Sequence, residues 1–243
     1  MIKSIEVNEF NYHLTSVIDN SNEILPTKFP NSSNDLQNID VLDIYAPTLR
    51  EDLKSVLDFD YTVKYYEENP VIIEYTDAIG KFQKYTPHYL IHYKNKTDSR
   101  FFFKPTLIQV MHRKELWEKW KRVKPMFKAG IAYAESRGWN FKILTEVEIR
   151  NDYLYNAKFL SGYKRAKIDR DKMQHLLHLM NRLEITTPEE IMVASSISPI
   201  HQGYYLYTLW FLVANGFICS DLTRKLAMTS EIWVKEGFMN NNF

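Results

Sequence analysis

The side chains best suited to chemistry in the first half of the chain stand at the ends of apolar segments. His88 follows Pro87 at the start of one such segment, and Gln109 and Met111 stand one residue apart at the end of the next. Mg²⁺ prefers carboxylate, phosphate and water oxygens, for which an imidazole is a poor substitute. A methionine carries no charge. None of these three side chains therefore provides the acid that Mg²⁺ requires.

Hydrophobic periodicity predicts the elements that position these side chains. Leu49, Leu53 and Val56 recur at helical spacing, which predicts a helix over 47–57 with Thr48 as N-cap and Glu51 as its capping-box partner. Strands are predicted over 62–66, 71–75, 82–93, 100–111 and 141–145. The order of helix, strands, helix and strand is typical of an α/β body.

A basic helix is predicted between the last two of these strands. It begins near Lys114, is interrupted at Pro125, resumes from Phe127 to Ser136 and ends with Gly138 as C-cap. Sets of Lys and Arg on one helix provide sequence-independent affinity for phosphate backbones, although a solvated helix face has the same composition. The candidate DNA contacts are Arg113, Lys119, Arg122 and Lys124.

The second half of the chain is richer in helix than the first. Thr187-Pro188-Glu189-Glu190 predicts a helix start, and the apolar segment Tyr204 to Asn215 predicts a helix ended by Gly216. Two short strands follow, and three helices followed by two strands is the order of a winged helix. The predicted organisation is an N-terminal arm over 1–46, an α/β domain over 47–150, a basic linker over 151–170 and a helical domain over 171–243.

Composition limits the class of protein. The 243 residues are 45% hydrophobic with a formal net charge of +1, so any polyanion site must be a local patch. The single cysteine, Cys219, excludes an internal disulfide and a cysteine-based zinc site. The longest apolar run, Leu206 to Ala214, is too short to span a bilayer. We therefore expect a cytoplasmic protein with no membrane partner.

Several blocks, in order along most of the chain, resemble TnsA, the endonuclease subunit of heteromeric cut-and-paste transposases. Two of them contain the side chains above: Tyr85-Thr86-Pro87-His88-Tyr89-Leu90 and Leu107-Ile108-Gln109-Val110-Met111. Others are Glu67-Glu68-Asn69-Pro70-Val71, Gly138-Trp139-Asn140-Phe141 and Tyr153-Leu154-Tyr155-Asn156-Ala157-Lys158-Phe159-Leu160. The resemblance implies a fold and an activity. The fold is a PD-(D/E)XK restriction-endonuclease-like domain followed by a C-terminal helical winged-helix domain. The activity is a magnesium-dependent cut at the 5′ transposon ends.

The resemblance also places the family's catalytic positions on this sequence. The helical Glu falls on Arg50, and Glu51 lies one residue further, about 100° around the helix. The central Asp falls on His88, the third position on Gln109, and the Lys on Met111. Three of the four positions depart from the family pattern. No cofactor is therefore expected, and Mg²⁺ only if the nuclease is active, in which case Glu51 and Gln109 are the candidate ligands.

The resemblance implies partners as well, namely a TnsB-like transposase, a TnsC-like ATPase and transposon-end DNA. The leading hypothesis is a TnsA-like subunit with impaired chemistry that acts as a scaffold for them. The alternatives are an active magnesium-dependent endonuclease with a rearranged site, using Glu51, Asp52 or Glu74, and a winged-helix DNA-binding regulator. The predicted protein-contact surface is Ser220, Asp221, Arg224 and Lys225.

Overall fold

The protein divides into two compact units, Met1–Ile149 and Arg150–Phe243. The structure, a computed structural model, describes residues 48–77, 79–94 and 103–234. The predicted N-terminal arm, 1–46, lies outside the described residues. So do residues 100–102 of a predicted strand.

The described part of the first unit is a mixed sheet with helices on both faces. Its order is α1 (Leu49–Phe59), β1 (Val63–Glu68), β2 (Ile73–Thr76), β3 (Phe82–Tyr85), β4 (Tyr89–Tyr93), β5 (Thr106–Val110), α2 (Arg113–Glu118), α3 (Trp120–Ser136), β6 (Asn140–Leu144) and α4 (Glu146–Ile149). The main sheet has the order β1-β4-β5-β6. Only β5 and β6 are parallel within it, and β2 and β3 form a separate antiparallel hairpin.

Helix α1 begins as its sequence predicts. Thr48 caps the helix, and Glu51 completes the capping box by accepting the Thr48 amide hydrogen at 2.7 Å. Two orphan N–H groups at the helix start are thereby satisfied. The apolar side of α1 then packs against one face of the sheet, where Ile108 and Val110 of β5 point.

Helix α3 covers the other face of the sheet. Leu107 of β5 and Phe141 of β6 point to this side and pack with Phe127. Gly130 allows the close approach, because a Cβ atom at this position would lie 2.7 Å from the Phe141 ring. Alternation along β5 thus assigns odd-numbered residues to the α3 face and even-numbered residues to the α1 face.

Two predicted boundaries in this unit are corrected. The single strand predicted over 82–93 is two strands, β3 and β4, which belong to different sheets and are separated at Pro87. Proline has no N–H group to donate to a ladder, so the chain turns there. The basic helix breaks at Lys119 rather than at Pro125, which lies inside α3.

The end of α3 follows the prediction. Gly138 has φ of +70°, its N–H donates to the Glu135 carbonyl, and the Trp139 N–H donates to the Ala134 carbonyl. This pair of bonds is a Schellman motif, in which glycine is favoured because the backbone is left-handed.

The second unit contains four helices and a small sheet in its described part. The order is α5 (Asp152–Ser161), α6 (Arg170–Leu183), β7 (Ile185–Thr186), α7 (Pro188–Ser195), α8 (Pro199–Ala214), β8 (Ile218–Ser220) and β9 (Ile232–Val234). The antiparallel sheet has the order β7-β9-β8. Strand β7 is absent from the sequence prediction because two residues are too few to show alternation.

Helix α5 lies where a linker was predicted. Leu154, Asn156, Ala157 and Leu160 are buried on it, and the boundary between the units falls before it, between Ile149 and Arg150. Basic residues at 164, 165 and 167 dominate the composition of this region, and they follow the helix rather than form a linker. Across the described ranges, no helix combines the length and apolar character needed to cross a membrane.

Candidate functional site

His88 lies in the turn that leads into β4, and its side chain is bound to the neighbouring strand. Its Nδ1 accepts a hydrogen bond from the Val110 amide at 3.1 Å, and the backbone N–H of His88 donates to the Ile108 carbonyl at 2.9 Å. Burial, and to a smaller extent the nearby Arg50 cation, lowers the pKa of His88 to about 4. The ring is therefore neutral at pH 7, with its proton on Nε2 because Nδ1 is an acceptor.

Gln109 is buried in β5, and both ends of its amide are occupied. Its Oε1 accepts a hydrogen bond from the Tyr85 hydroxyl at 2.9 Å, and its Nε2 donates to the Val110 carbonyl at 3.1 Å. Tyr85 is also buried, and burial raises the pKa of its hydroxyl. Gln109 therefore lies in a buried, neutral pair with Tyr85 on the α3 face.

Met111 follows β5 and is half-buried against the apolar cluster on the α3 face. Neither Lys104 nor Lys142 replaces the charge that it lacks. Lys104 precedes β5 and therefore lies at the opposite end of the strand. Lys142 is paired with Ile108 in the ladder, so alternation places it on the α1 face, away from Met111. Lys142 is nevertheless a half-buried lysine that sequence patterning missed, and burial lowers its pKa to about 8.

Arg50, on which the resemblance places the helical acid, brings a cation to the Tyr89 and Glu68 side chains. Its guanidinium carbon lies 5.7 Å from the Tyr89 ring centroid, and its Nη2 lies 4.0 Å from Oε2 of Glu68. Glu68 also accepts a 2.7 Å hydrogen bond from Lys54, which holds the pKa of that carboxyl below its ordinary value. The acid of this cluster is therefore shared between two cations.

The acids proposed for a rearranged site are not gathered here. Glu51 is engaged in the capping box, Asp52 is buried on α1, and Glu74 lies on the β2–β3 hairpin, 3.3 Å from the ammonium of Lys84. Within the described ranges, no three His, Cys, Asp or Glu side chains are placed to hold a metal ion. Gln109 alone among the four family positions has a side-chain oxygen, and it is already hydrogen-bonded. These residues do not fit Mg²⁺.

The predicted DNA contacts lie along α2 and α3, but they differ in their surroundings. Arg122 and Lys124 are exposed and form no ion pair with another described residue. Lys119, in contrast, forms a 2.6 Å ion pair with Glu115. Arg113 begins α2, and its amide donates to Glu146 at 2.9 Å. Lys121 and Lys128 are also exposed on α3 and widen the basic surface.

The predicted partner surface lies at the β8–β9 connection of the second unit. Ser220 is at the end of β8, where its hydroxyl donates to the Glu231 carbonyl at 2.8 Å. Asp221 lies 3.5 Å from Arg224, whose side chain is 88% exposed. The Lys225 ammonium lies 4.4 Å from the centroid of the Tyr155 ring. The structure therefore brings all four residues to one loop.

Asn156 holds this loop and was not singled out by sequence reasoning. It is fully buried on α5, donates from Nδ2 to the Leu222 and Arg224 carbonyls at 2.9 and 2.7 Å, and accepts from the Leu226 amide at 2.9 Å. Asp152, one helical turn earlier, accepts from the Lys225 amide at 3.1 Å. A buried Asn on an otherwise apolar helical side was the available signal.

The comparisons with known proteins concern the first unit. Residues 60–146 match the family described as TnsA-like endonuclease N terminal, a span that includes His88, Gln109 and Met111. Comparison with curated protein sequences gives no match. The matched span begins at the end of α1 and runs through β6 to the first residue of α4. Residues 60–146 of this chain are therefore similar to the TnsA-like endonuclease N-terminal domain, which supports the relationship to TnsA.

Proposed function

We propose that this chain is a TnsA-like subunit of a DNA transposition machine whose cutting chemistry is lost or nearly lost. It acts as a scaffold for a TnsB-like transposase, a TnsC-like ATPase and transposon-end DNA. One observation carries the proposal: at the central acid position, His88 is a neutral, half-buried acceptor for the Val110 amide. A site in this state has no carboxylate with which to hold Mg²⁺.

The folds of the two units support the proposal. In the first, α1 and α3 cover opposite faces of a mixed sheet, which is consistent with a PD-(D/E)XK core. In the second, the order helix, strand, helix, helix, strand, strand with the sheet β7-β9-β8 is consistent with a winged helix. We infer that the four residues of the β8–β9 connection named above form the protein-contact surface.

The electrostatics of the degenerate site favour binding over cleavage. In an active nuclease Mg²⁺ polarises the scissile phosphate and activates the attacking water. Here Arg50 brings a cation where an acid would help to hold the metal, so the site attracts phosphate without supplying a metal ligand. Together with Arg122 and Lys124 on α3, this cation provides phosphate affinity that does not depend on base sequence.

Cleavage is tested with the unmodified chain and nicked or linear transposon-end DNA in Mg²⁺ or Mn²⁺. We expect no metal-dependent product above that of a buffer control. Robust nicking that disappears in Gln109→Ala would instead establish an active, rearranged site and refute the loss of chemistry.

DNA binding is tested through the salt dependence of the affinity. Arg122→Ala and Lys124→Ala should each weaken DNA association and reduce the slope of log K against log salt by about 0.9, as expected when one phosphate contact is lost. Lys119→Ala, at the third of these predicted contacts, should have a smaller effect, because its ammonium is already paired with Glu115. Lys64→Ala, at an exposed position of β1, is the control and should leave the affinity unchanged. An equal effect of the control would contradict the assignment of this surface.

The partner role is tested by co-purification with a TnsB-like transposase and a TnsC-like ATPase. Charge reversal in Arg224→Glu/Lys225→Glu should abolish capture of one of these proteins while DNA affinity stays within about twofold. Capture unchanged by this variant would move the contact surface away from the β8–β9 connection.

A further inference from the structure

Helix α8 of the second unit has a solvent-facing side that carries no charge. None of its 16 residues is Asp, Glu, Lys or Arg. Ile200, Tyr204 and Tyr207 recur at spacings of four and three, which places them on one side of the helix, and they are 73%, 59% and 44% exposed. The opposite side, which includes Leu209 and Leu212, is buried in the unit.

Gly203 lies in the middle of the same exposed side. Its backbone is helical, so no left-handed conformation requires glycine, and a Cβ atom there would have nothing within 4 Å. Gly130 of α3 is the contrast, because its glycine is explained by the Phe141 ring. A glycine inside a helix lowers helix stability, and no contact within the described chain explains Gly203. A helical glycine on a flat apolar side allows another backbone to approach closely.

This side of α8 is unsuited to DNA. In helix-turn-helix proteins the second helix of the pair enters the major groove and reads bases through polar and basic side chains. In the α7–α8 pair that position belongs to α8, whose exposed side chains here are apolar or aromatic. The surface therefore suits an apolar protein partner.

We propose that this side of α8 packs against the same side of a second copy of the chain, with the two helices crossing at Gly203. A two-fold contact requires a self-complementary surface. The residues of α8 meet this requirement, since none of them is charged and the Lys172 ammonium, 5.8 Å from the Tyr204 ring centroid, is paired with Asp169. The groove at each Gly203 can receive the ridge formed by Tyr204 and Tyr207 of the other copy. The inference does not depend on the transposition role.

The apolar surface is large enough to contribute substantially to such a contact. Val193 and Ile197, just before α8, are 69% and 99% exposed. Large apolar side chains offer up to roughly 150–250 Å² each, so these two and the three on α8 together offer several hundred Å². A standard interface buries about 800 Å² on each partner.

The oligomeric state of the full chain provides the first test. Sedimentation velocity up to about 100 μM should show a concentration-dependent dimer, and Ile200→Arg or Tyr204→Arg should weaken it at least tenfold. His178→Arg, an equally simple change at an exposed position on α6, is the matched control and should leave the dimer intact. A chain that is monomeric throughout this range would overturn the proposal.

Gly203→Ala separates an interface role from a local one. If the glycine serves a second copy, alanine should raise the melting temperature of the dilute monomer, because alanine favours helix, and should weaken the dimer. If dimer affinity is unchanged while the melting temperature rises, the crossing is not at Gly203 and the proposal fails. Circular dichroism of each variant confirms that the helix content is retained.

A cross-link tests the geometry directly. In a Cys219→Ser background, Gly203→Cys should form an intermolecular disulfide under mild oxidation, since Cα atoms at a close crossing fall in the range that a disulfide bridges. His178→Cys in the same background is the matched control and should remain largely monomeric. Equal cross-linking of the two variants, or none with Gly203→Cys, would contradict the crossing.

Discussion

Gln109 and Asn156 are both buried amides in motifs that resemble the TnsA pattern, yet their surroundings differ. Gln109 is hydrogen-bonded to the Tyr85 hydroxyl and to the carbonyl of the next residue, so both ends of its amide are used by buried groups of the same unit. Asn156 hydrogen-bonds three backbone groups of a loop that lies 66 to 70 residues further along the chain.

The consequence of this difference is opposite in the two units. In the first unit, the Gln109 amide is hydrogen-bonded to other buried groups. Among the described residues, no set of side chains at the candidate catalytic end of the sheet is then placed to bind a hard cation. In the second unit, Asn156 hydrogen-bonds the backbone of the β8–β9 connection from its buried side. The side chains of Arg224 and Lys225 are exposed to solvent. A buried amide can therefore close a site or present one, depending on whether its partners are buried groups or the backbone of an exposed loop.

The largest effect is expected from breaking the anchor of the loop. Asn156→Ala leaves the Leu222 and Arg224 carbonyls and the Leu226 amide without their buried partner. Each such loss costs about 1–3 kcal/mol, so we expect the free energy of unfolding to fall by about 3 kcal/mol or more in urea titrations. Asn181→Ala, at an exposed position on α6, should change it by less than about 0.5 kcal/mol. Similar values for the two variants would remove the distinction between the amides.

The second effect is expected when the catalytic residues of the family pattern are introduced. Arg50→Glu/His88→Asp/Met111→Lys restores the acids and the cation of the family pattern, and metal binding should return before cutting does. Binding to the folded state alone adds about 2.7 kcal/mol to the free energy of unfolding at a metal concentration of 100 times Kd. Thermal unfolding with and without Mn²⁺ or Mg²⁺ measures this.

The unmodified chain and Met111→Lys alone are the controls for this variant, and neither should be stabilised by the metal. Equal stabilisation of the unmodified chain would show that the native chain already binds the ion. The ligands would then be acids other than those introduced in the variant.

The third effect is a pH dependence that originates from His88. Its pKa is about 4 in the folded chain and about 6.5 when unfolded. The unfolded state therefore binds more protons between these values, and stability is lost as pH falls from about 6.5 to 4. After allowance for solvent screening of a half-buried group, this loss is about 2 kcal/mol.

The measurement compares the unmodified chain with His88→Asn, which keeps an acceptor for the Val110 amide and does not titrate. The difference between the two unfolding free energies should change across this pH range and be flat above pH 7. A difference that does not vary with pH would mean that His88 is not buried as the structure has it.

The smallest effect is expected for the hydrogen bond between Tyr85 and Gln109. Tyr85→Phe and Gln109→Leu each leave one buried partner unsatisfied, whereas the double variant removes both. A double-mutant cycle on the free energy of unfolding should give a coupling of about 1 kcal/mol. Tyr75→Phe combined with Gln109→Leu is a control without this hydrogen bond and should be additive. Additivity for Tyr85 would show that the amide is not sealed by the hydroxyl.

Local patterns in the sequence determined much of the fold. The capping box at Thr48, the helix start at Thr187 and the glycine ends of α3 and α8 were predicted because a few neighbouring residues satisfy each helix terminus. The resemblance to TnsA was confirmed by the family match over residues 60–146. It identified the departures at His88 and Met111, because residue type alone decides whether a hard cation can be bound.

Only the tertiary structure decided which groups are the hydrogen-bond partners of the buried side chains. Pro87 divides β3 from β4 and sends them to different sheets, which a single apolar pattern over 82–93 does not reveal. The partners of Asn156 are distant along the chain, and the composition after it indicated a linker rather than a helix. The tyrosine that seals Gln109 lies 24 residues away on another element. Such contacts join segments whose proximity depends on the packing of the whole unit, so no local pattern encodes them.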